Sequence, residues 1–164
     1  MNPRISLIAL VGMMLIPVAN AATTTGTLDV SATVGATCTV TTSAVAFSTT
    51  TAPSAQPVAN GSVTVNCPVQ TSYSIALDAG QNYNASVGRQ LSDGNNNLIG
   101  YDLYSDPNFS SPWGDDGATV QASSVSDTGD GSDQAHTVYG ALVLPANAYV
   151  AGQYDDTVNV AVNY

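Results

Sequence analysis

The 164 residues contain no lysine and no glutamate, and arginine occurs only at positions 4 and 89. All twelve acidic side chains are aspartates. A surface with so few cations repels phosphate backbones and anionic lipid headgroups, so nucleic-acid binding and membrane-surface functions are poorly supported. The acidity reads as a solubilising surface for a protein outside the cell. Scarcity of Glu, Lys, Arg and Leu also removes the good helix formers, leaving Thr, Val, Ser, Asn, Gly and Tyr, which favour strands and turns.

Histidine is nearly absent too. His136 is the only imidazole, and no Gly-x-Ser-x-Gly elbow is present, so a Ser/His/Asp hydrolase has a single base to use. A lone histidine beside an acidic loop reads as an ordinary strand-edge residue. The pairs Asp115-Asp116 and Asp155-Asp156 are neighbours in sequence, and neighbours on a strand point to opposite faces, so neither forms an acid–base couple. Asp93, Asn95 and Asn97 have the first three ligand spacings of a calcium loop. Leu98 then stands where glycine is needed and Tyr104 where the bidentate glutamate belongs. Asp127, Asp130 and Asp133 match no calcium loop. These segments read as solvated loops, and no enzyme activity, cofactor or metal is expected.

Only two cysteines occur, Cys38 and Cys67. Their meaning depends on the N-terminus. Arg4 precedes an apolar run, residues 5–18, interrupted by Pro17 and followed by Ala19-Asn20-Ala21. This is the layout of a cleaved secretory signal over residues 1–21. The apolar core of about 15 residues falls short of the ~20 that a membrane span needs. Cleavage leaves 143 of the 164 residues, one domain's worth of chain, with a formal charge of −11, one unit below the −10 of the whole. In an oxidising compartment, one Cys38–Cys67 disulfide is the economical reading. It closes a loop of about 30 residues, worth roughly 3–4 kcal/mol by chain entropy. Two cysteines and one histidine fall short of a four-ligand zinc site.

Short alternating runs between turn clusters predict an all-β sandwich. Leu28, Val30, Ala32 and Val34 alternate strictly with Thr27, Asp29, Ser31 and Thr33, the period of a strand with one apolar face. From Cys38 onward, six strands are expected: 38–47, 62–67, 72–78, 98–104, 137–144 and 154–164. Asn60-Gly61 is expected as a turn, residues 81–97 as a polar segment carrying Arg89 and Leu91, and residues 126–134 as an exposed loop. Arg89 is expected to partner a nearby aspartate and Trp113 to fill the core or its rim. In the last run Val158, Val160, Val162 and Tyr164 share one parity. An immunoglobulin-type sandwich has seven strands, so this count predicts a core open along its last strand, with a surplus strand at the N-terminus. An apolar groove between unpaired edges is an aggregation hazard unless something occupies it.

The order of several segments resembles the spore coat protein U domain family, which includes subunits of archaic (Csu-type) chaperone–usher pili. They are TGTLDVSATV before the first cysteine, GSVTVNC, YSIALDAG, GRQLSDG, YDLYSDP, Trp113-Gly114, VYGAL and the closing AGQYDDTVNVAVNY. The long acidic loop, residues 115–133, departs from that pattern. The resemblance implies an incomplete six-stranded immunoglobulin-like sandwich completed by donor-strand exchange. It divides the chain into a signal (1–21), a donor extension (22–35) and an incomplete pilin domain (36–164). Leu28, Val30, Ala32 and Val34 would be the donor residues, and Val158, Val160, Val162 and Tyr164 the acceptor and chaperone-facing strand.

The implied partners are neighbouring subunits, a periplasmic chaperone and an outer-membrane usher, with no nucleic acid and no bilayer insertion. The implied course is export, periplasmic transit and display on the cell surface in a fimbria that supports adhesion and biofilm formation. A single domain with its own donor segment suits a shaft or adaptor position. The rival reading is a secreted monomeric coat or carbohydrate-binding β-sandwich module whose N-terminal strand completes its own fold.

Overall fold

The computed structural model describes residues 22–48, 56–143 and 150–164. The expected signal, residues 1–21, lies outside the described residues. The chain divides into two units between Thr33 and Val34. In the first, residues 22–33 carry no strand or helix, and Leu28 and Val30 are 87% and 86% exposed.

The second unit is built from strands alone among the described residues. In chain order they are β1 (Thr39–Ser43), β2 (Val58–Asn66), β3 (Ser72–Leu77), β4 (Arg89–Ser92), β5 (Leu98–Tyr104), β6 (Val125–Thr128), β7 (Gln134–Val143) and β8 (Val160–Asn163). One antiparallel sheet runs β1-β2-β7-β5-β4 and the other β6-β3-β8. The result is an immunoglobulin-like sandwich with five strands facing three. The alternation that marks these strands in the sequence is the alternation of their burial. Val63, Val65 and Cys67 on and just after β2, Tyr73, Ile75 and Leu77 on β3, and Ile99, Tyr101 and Leu103 on β5 all point inward. Trp113 fills the space between the sheets and donates its indole N–H to the Ile75 carbonyl at 2.9 Å.

Cys38 and Cys67 form the expected disulfide. It adjoins the first pair of the β1–β2 ladder, Thr39 opposite Asn66, and so ties an edge strand to the core at the point where the N-terminal segment leaves.

Several expectations are corrected, beginning with the count of six strands: eight are present among the described residues, because β4 and β6 form within segments expected to be loops. Asn60-Gly61 is no turn but lies inside β2, opposite Tyr139 and Val138. Gly61 is needed for close approach, since a Cβ there would sit 2.7 Å from the Ser43 carbonyl and 2.8 Å from Val45. The polar segment 81–97 contains β4, and the expected loop 126–134 contains most of β6 and the start of β7. The first strand ends at Ser43 rather than 47, and the last ladder covers only Val160–Asn163 of residues 154–164. His136 is no edge residue, because β7 is the central strand of the five.

Arg89 is the sole basic side chain after position 4, and it is buried. Burial lowers its pKa, which Tyr101, Asp102, Asp78 and Asp115 oppose. Among the described residues no carboxylate pairs with it, contrary to the expectation of an aspartate partner. Its guanidinium donates instead to the carbonyls of Leu77 (2.9 Å), Asp78 (2.7 and 2.9 Å) and Trp113 (3.0 Å). Trypsin therefore has one cleavage point in residues 22–164, inside β4. The folded protein should resist trypsin indefinitely, with cleavage after Arg89 appearing at the denaturant concentration where Trp113 fluorescence changes. Rapid cutting under native conditions would contradict this burial.

Candidate functional site

The inner face of the five-stranded sheet is wider than the three-stranded sheet can cover. The uncovered part forms a groove of about 280 Å³. Its floor is Val63, Val138, Leu103, Tyr101 and Leu91, from four neighbouring strands and all directed inward. One wall is the stretch after β1, residues 44–47. The other is residues 156–160, leading into β8.

Each wall has a structural cause. Beyond Ser43 the chain leaves the sheet edge, and Val45 and Phe47 turn inward over β2 and β7. They can do so because position 140 is glycine: a Cβ there would lie 2.5 Å from Val45 Cγ1 and 2.9 Å from Phe47 Cζ. On the other side Tyr154, Asp156, Val158, Val160 and Val162 alternate as half-buried residues with exposed Asp155, Thr157, Asn159, Ala161 and Asn163. The structure thus places Val158, Val160 and Val162 on one inward face, the first two lining the groove and all three packed on the core. Tyr164, at the end of the same parity, is 60% exposed.

Both walls present unpaired backbone. Among the described strands β8 pairs only with β3, and β1 only with β2. Residues 44–48 make no backbone hydrogen bond among those described. An apolar trench with free N–H and C=O groups on both sides has the chemistry to receive an extended peptide. Its ladder bonds can form on the walls and alternate side chains can enter the floor.

Sequence reasoning named Val158 and Val160 and missed the rest of the groove lining, Asp156 included. Asp156 shares the inward parity of the valines, and its carboxylate is fully engaged. Tyr101 Oη donates to it at 2.6 Å, and Gln81 N–H (2.9 Å), Asn82 N–H (3.3 Å) and Asn82 Nδ2 (3.1 Å) converge on its other oxygen. Burial, then the bond to Asp156, pushes the Tyr101 hydroxyl well above the usual phenol range. Across the turn after β3, Asp78 accepts bonds from Asn159 N–H (2.9 Å), Asn159 Nδ2 (2.6 Å) and Gly80 N–H (2.9 Å). Burial acts to raise the Asp78 pKa, but these bonds and Arg89 outweigh it and hold the carboxyl below its ordinary value.

The other candidates from sequence are engaged in local structure. The Asp93 carboxylate accepts from Asn95 N–H, Asn97 N–H and Asn97 Nδ2, closing the β4–β5 turn on itself. His136 Nε2 meets Tyr73 Oη at 2.9 Å and stands 3.7 Å from Asp127 Oδ2, with no serine bonded to it among the described residues. Asp155 and Asp156 face opposite ways, one exposed and one half-buried.

The Spore Coat Protein U domain spans residues 24–161, and the chain belongs to that family. Among solved structures it is similar in fold to a chain of the CsuC–CsuE chaperone–tip adhesion subunit pre-assembly complex from the archaic chaperone–usher Csu pili of Acinetobacter baumannii. The TM-score is 0.60 at 23% identity, over 80% of this chain and 40% of that one. This chain therefore spans less than half the length of the chain it matches. Among curated proteins, none matches.

Two outcomes test the geometry. Gly140→Val should expel Val45 and Phe47 from their seat and destabilise the domain by about 1–3 kcal/mol in urea denaturation. Because the folded pKa of Asp78 lies below its unfolded value, its contribution is present above about pH 3.9 and disappears as pH falls through the folded value. Thermal unfolding at pH 2–5 should accordingly show a shallower acid loss in Asp78→Asn than in the unsubstituted chain.

Proposed function

We propose that the chain is a structural, non-enzymatic subunit of a surface pilus, assembled by strand donation through the chaperone–usher route. The observation that carries this reading is the groove, which is the domain's own core left uncovered between two unpaired walls. Membership of the Spore Coat Protein U family supports it, as does a fold like that of a chain from a chaperone–adhesion subunit complex.

On this reading residues 22–35 are the donor extension, with Leu28, Val30, Ala32 and Val34 entering the groove of the next subunit. Residues 36–164 are the acceptor domain, with Val158, Val160, Val162 and Tyr164 along its receiving edge. Leu28, Val30 and Val34, exposed by 87%, 86% and 93%, are apolar side chains with burial still to gain. Each is worth roughly 1.5–3 kcal/mol when enclosed. About eight ladder hydrogen bonds add roughly 0.5–1.5 kcal/mol apiece, opposed by the entropy of ordering the strand. A periplasmic chaperone would cover the groove after export, and an outer-membrane usher would exchange it for the donor of another subunit. The contact is heterologous and propagates as an open fibre on the cell surface, where it would serve adhesion and biofilm formation.

A chain truncated to begin at Ala36 should aggregate alone and be rescued by a peptide of residues 25–34. A stable truncated monomer indifferent to the peptide would sink the reading. Leu28→Asp or Val30→Asp should abolish the ladder of SDS-resistant polymers while leaving the subunit able to accept a donor peptide.

A further inference from the structure

An uncovered apolar groove in water should close. Val158 and its neighbours gain by collapsing onto the floor, and only a rigid wall prevents it. Yet residues 156–159 lie outside the β3–β8 ladder. Among the described residues their one backbone bond to the rest of the domain is Asp78 N–H to the Asn159 carbonyl, 3.1 Å. Immediately upstream, Asp155 is bridged to Ser92 on β4, so this stretch spans from one sheet to the other.

Side chains supply the missing restraint, in both directions across the same gap. Asp156 reaches from the wall into the turn after β3, where two backbone N–H groups and the Asn82 amide receive it. Asp78 reaches from that turn to the wall, where the N–H and amide of Asn159 receive it. Gly80, at φ +77°, makes room, since a Cβ there would collide with the Asp156 carboxylate. The turn is in turn fixed from inside by Arg89 on the Leu77 and Asp78 carbonyls. Hydrogen bonds to ionised carboxylates are the strong kind, and they are directional where apolar packing is not.

We propose that Asp78 and Asp156 are positioning residues for strand acceptance, a reciprocal clasp, anchored on Arg89, that holds the groove wall open for an incoming strand. This rests on the strand-acceptor reading above. It also separates capture from retention. Once a donor is seated, its own ladder bonds hold the wall, so the clasp matters to the empty groove and little to the filled one.

The test dilutes chain 22–164 carrying Leu28→Asp, whose own extension does not compete, from denaturant into a fluorescent peptide of residues 25–34, so that uptake is read before the empty groove aggregates. Asp156→Asn and Asp78→Asn should slow peptide association about ten- to hundredfold, as loss of charge-assisted bonds implies. The dissociation rate and the melting temperature of the loaded species should stay within twofold and within a few degrees of the parent. Tyr101→Phe, which removes one bond from Asp156 and spares the rest, guards against misfolding in the aspartate variants. It should slow association a fewfold. Asp130→Asn, remote from the groove, should change nothing. Parent-like association in the Asp156 and Tyr101 variants overturns the clasp alone. Association, dissociation and melting all shifting together overturns it also, as ordinary destabilisation. A parent chain that takes up no peptide removes the strand-acceptor reading itself, and the clasp with it.

Discussion

Five strands cannot be covered by three. With neighbouring strands about 4.8 Å apart, the mismatch leaves about 10 Å of inner sheet face with no opposing strand. That face is apolar because β2 and β5 alternate along their lengths and β7 adds Val138 and Leu142 between them. Everything else in the domain responds to this deficit. The stretch after β1 turns in to cover part of it, which requires glycine at 61 and 140. Residues 154–159 cross from one sheet to the other to limit it on the far side. What remains is a trench rather than a void, and its edges are backbone. Apolar surface flanked by free ladder positions is the combination that soluble proteins otherwise avoid.

The single retained arginine belongs to the same problem. A turn that holds the wall must itself be rigid, and the carbonyls of Leu77, Asp78 and Trp113 point into the protein where water cannot serve them. The planar guanidinium donates to all three at once from a fixed fork. An ammonium, with its donors on one nitrogen, cannot match that spread. Burying an unpaired cation is costly, but here the aspartates around it supply a favourable field without competing for its N–H groups.

Strand positions were legible wherever an apolar parity ran unbroken, as in β2, β3, β5 and β7, and the two cysteines announced their own pairing. β4 was hidden because its first inward residue is Arg89, which reads as surface, and β6 because three of its four residues are exposed at a sheet edge. Asn60-Gly61 misled because the same dipeptide that makes tight turns also permits a second chain to approach a strand. An open groove was expected from a count of six strands, whereas it arises among eight because five face three; Val158 and Val160 followed from parity. Asp156 did not, since a carboxylate within an apolar alternation looks like the end of the pattern. Its partners lie 55 to 75 residues away, on β5 and in a turn whose geometry no local pattern encodes.

Charge constrains how copies of such a domain can meet. Without Arg4 the formal charge is −11, and the one remaining cation is buried, so the surface offers no positive patch to a second copy. Two copies repel at separations up to a Debye length of about 8 Å. Attraction must then come from contacts shorter than that, which means apolar enclosure and a backbone ladder. The only charged side chain among residues 27–34 is Asp29, on the parity opposite Leu28 and Val30. On the proposed reading it remains at the solvent side of a seated strand. Register and shape, rather than complementary charge, would then decide which strand fills the groove. A slip of one residue would bring Asp29 to the apolar floor and turn every favourable contact outward.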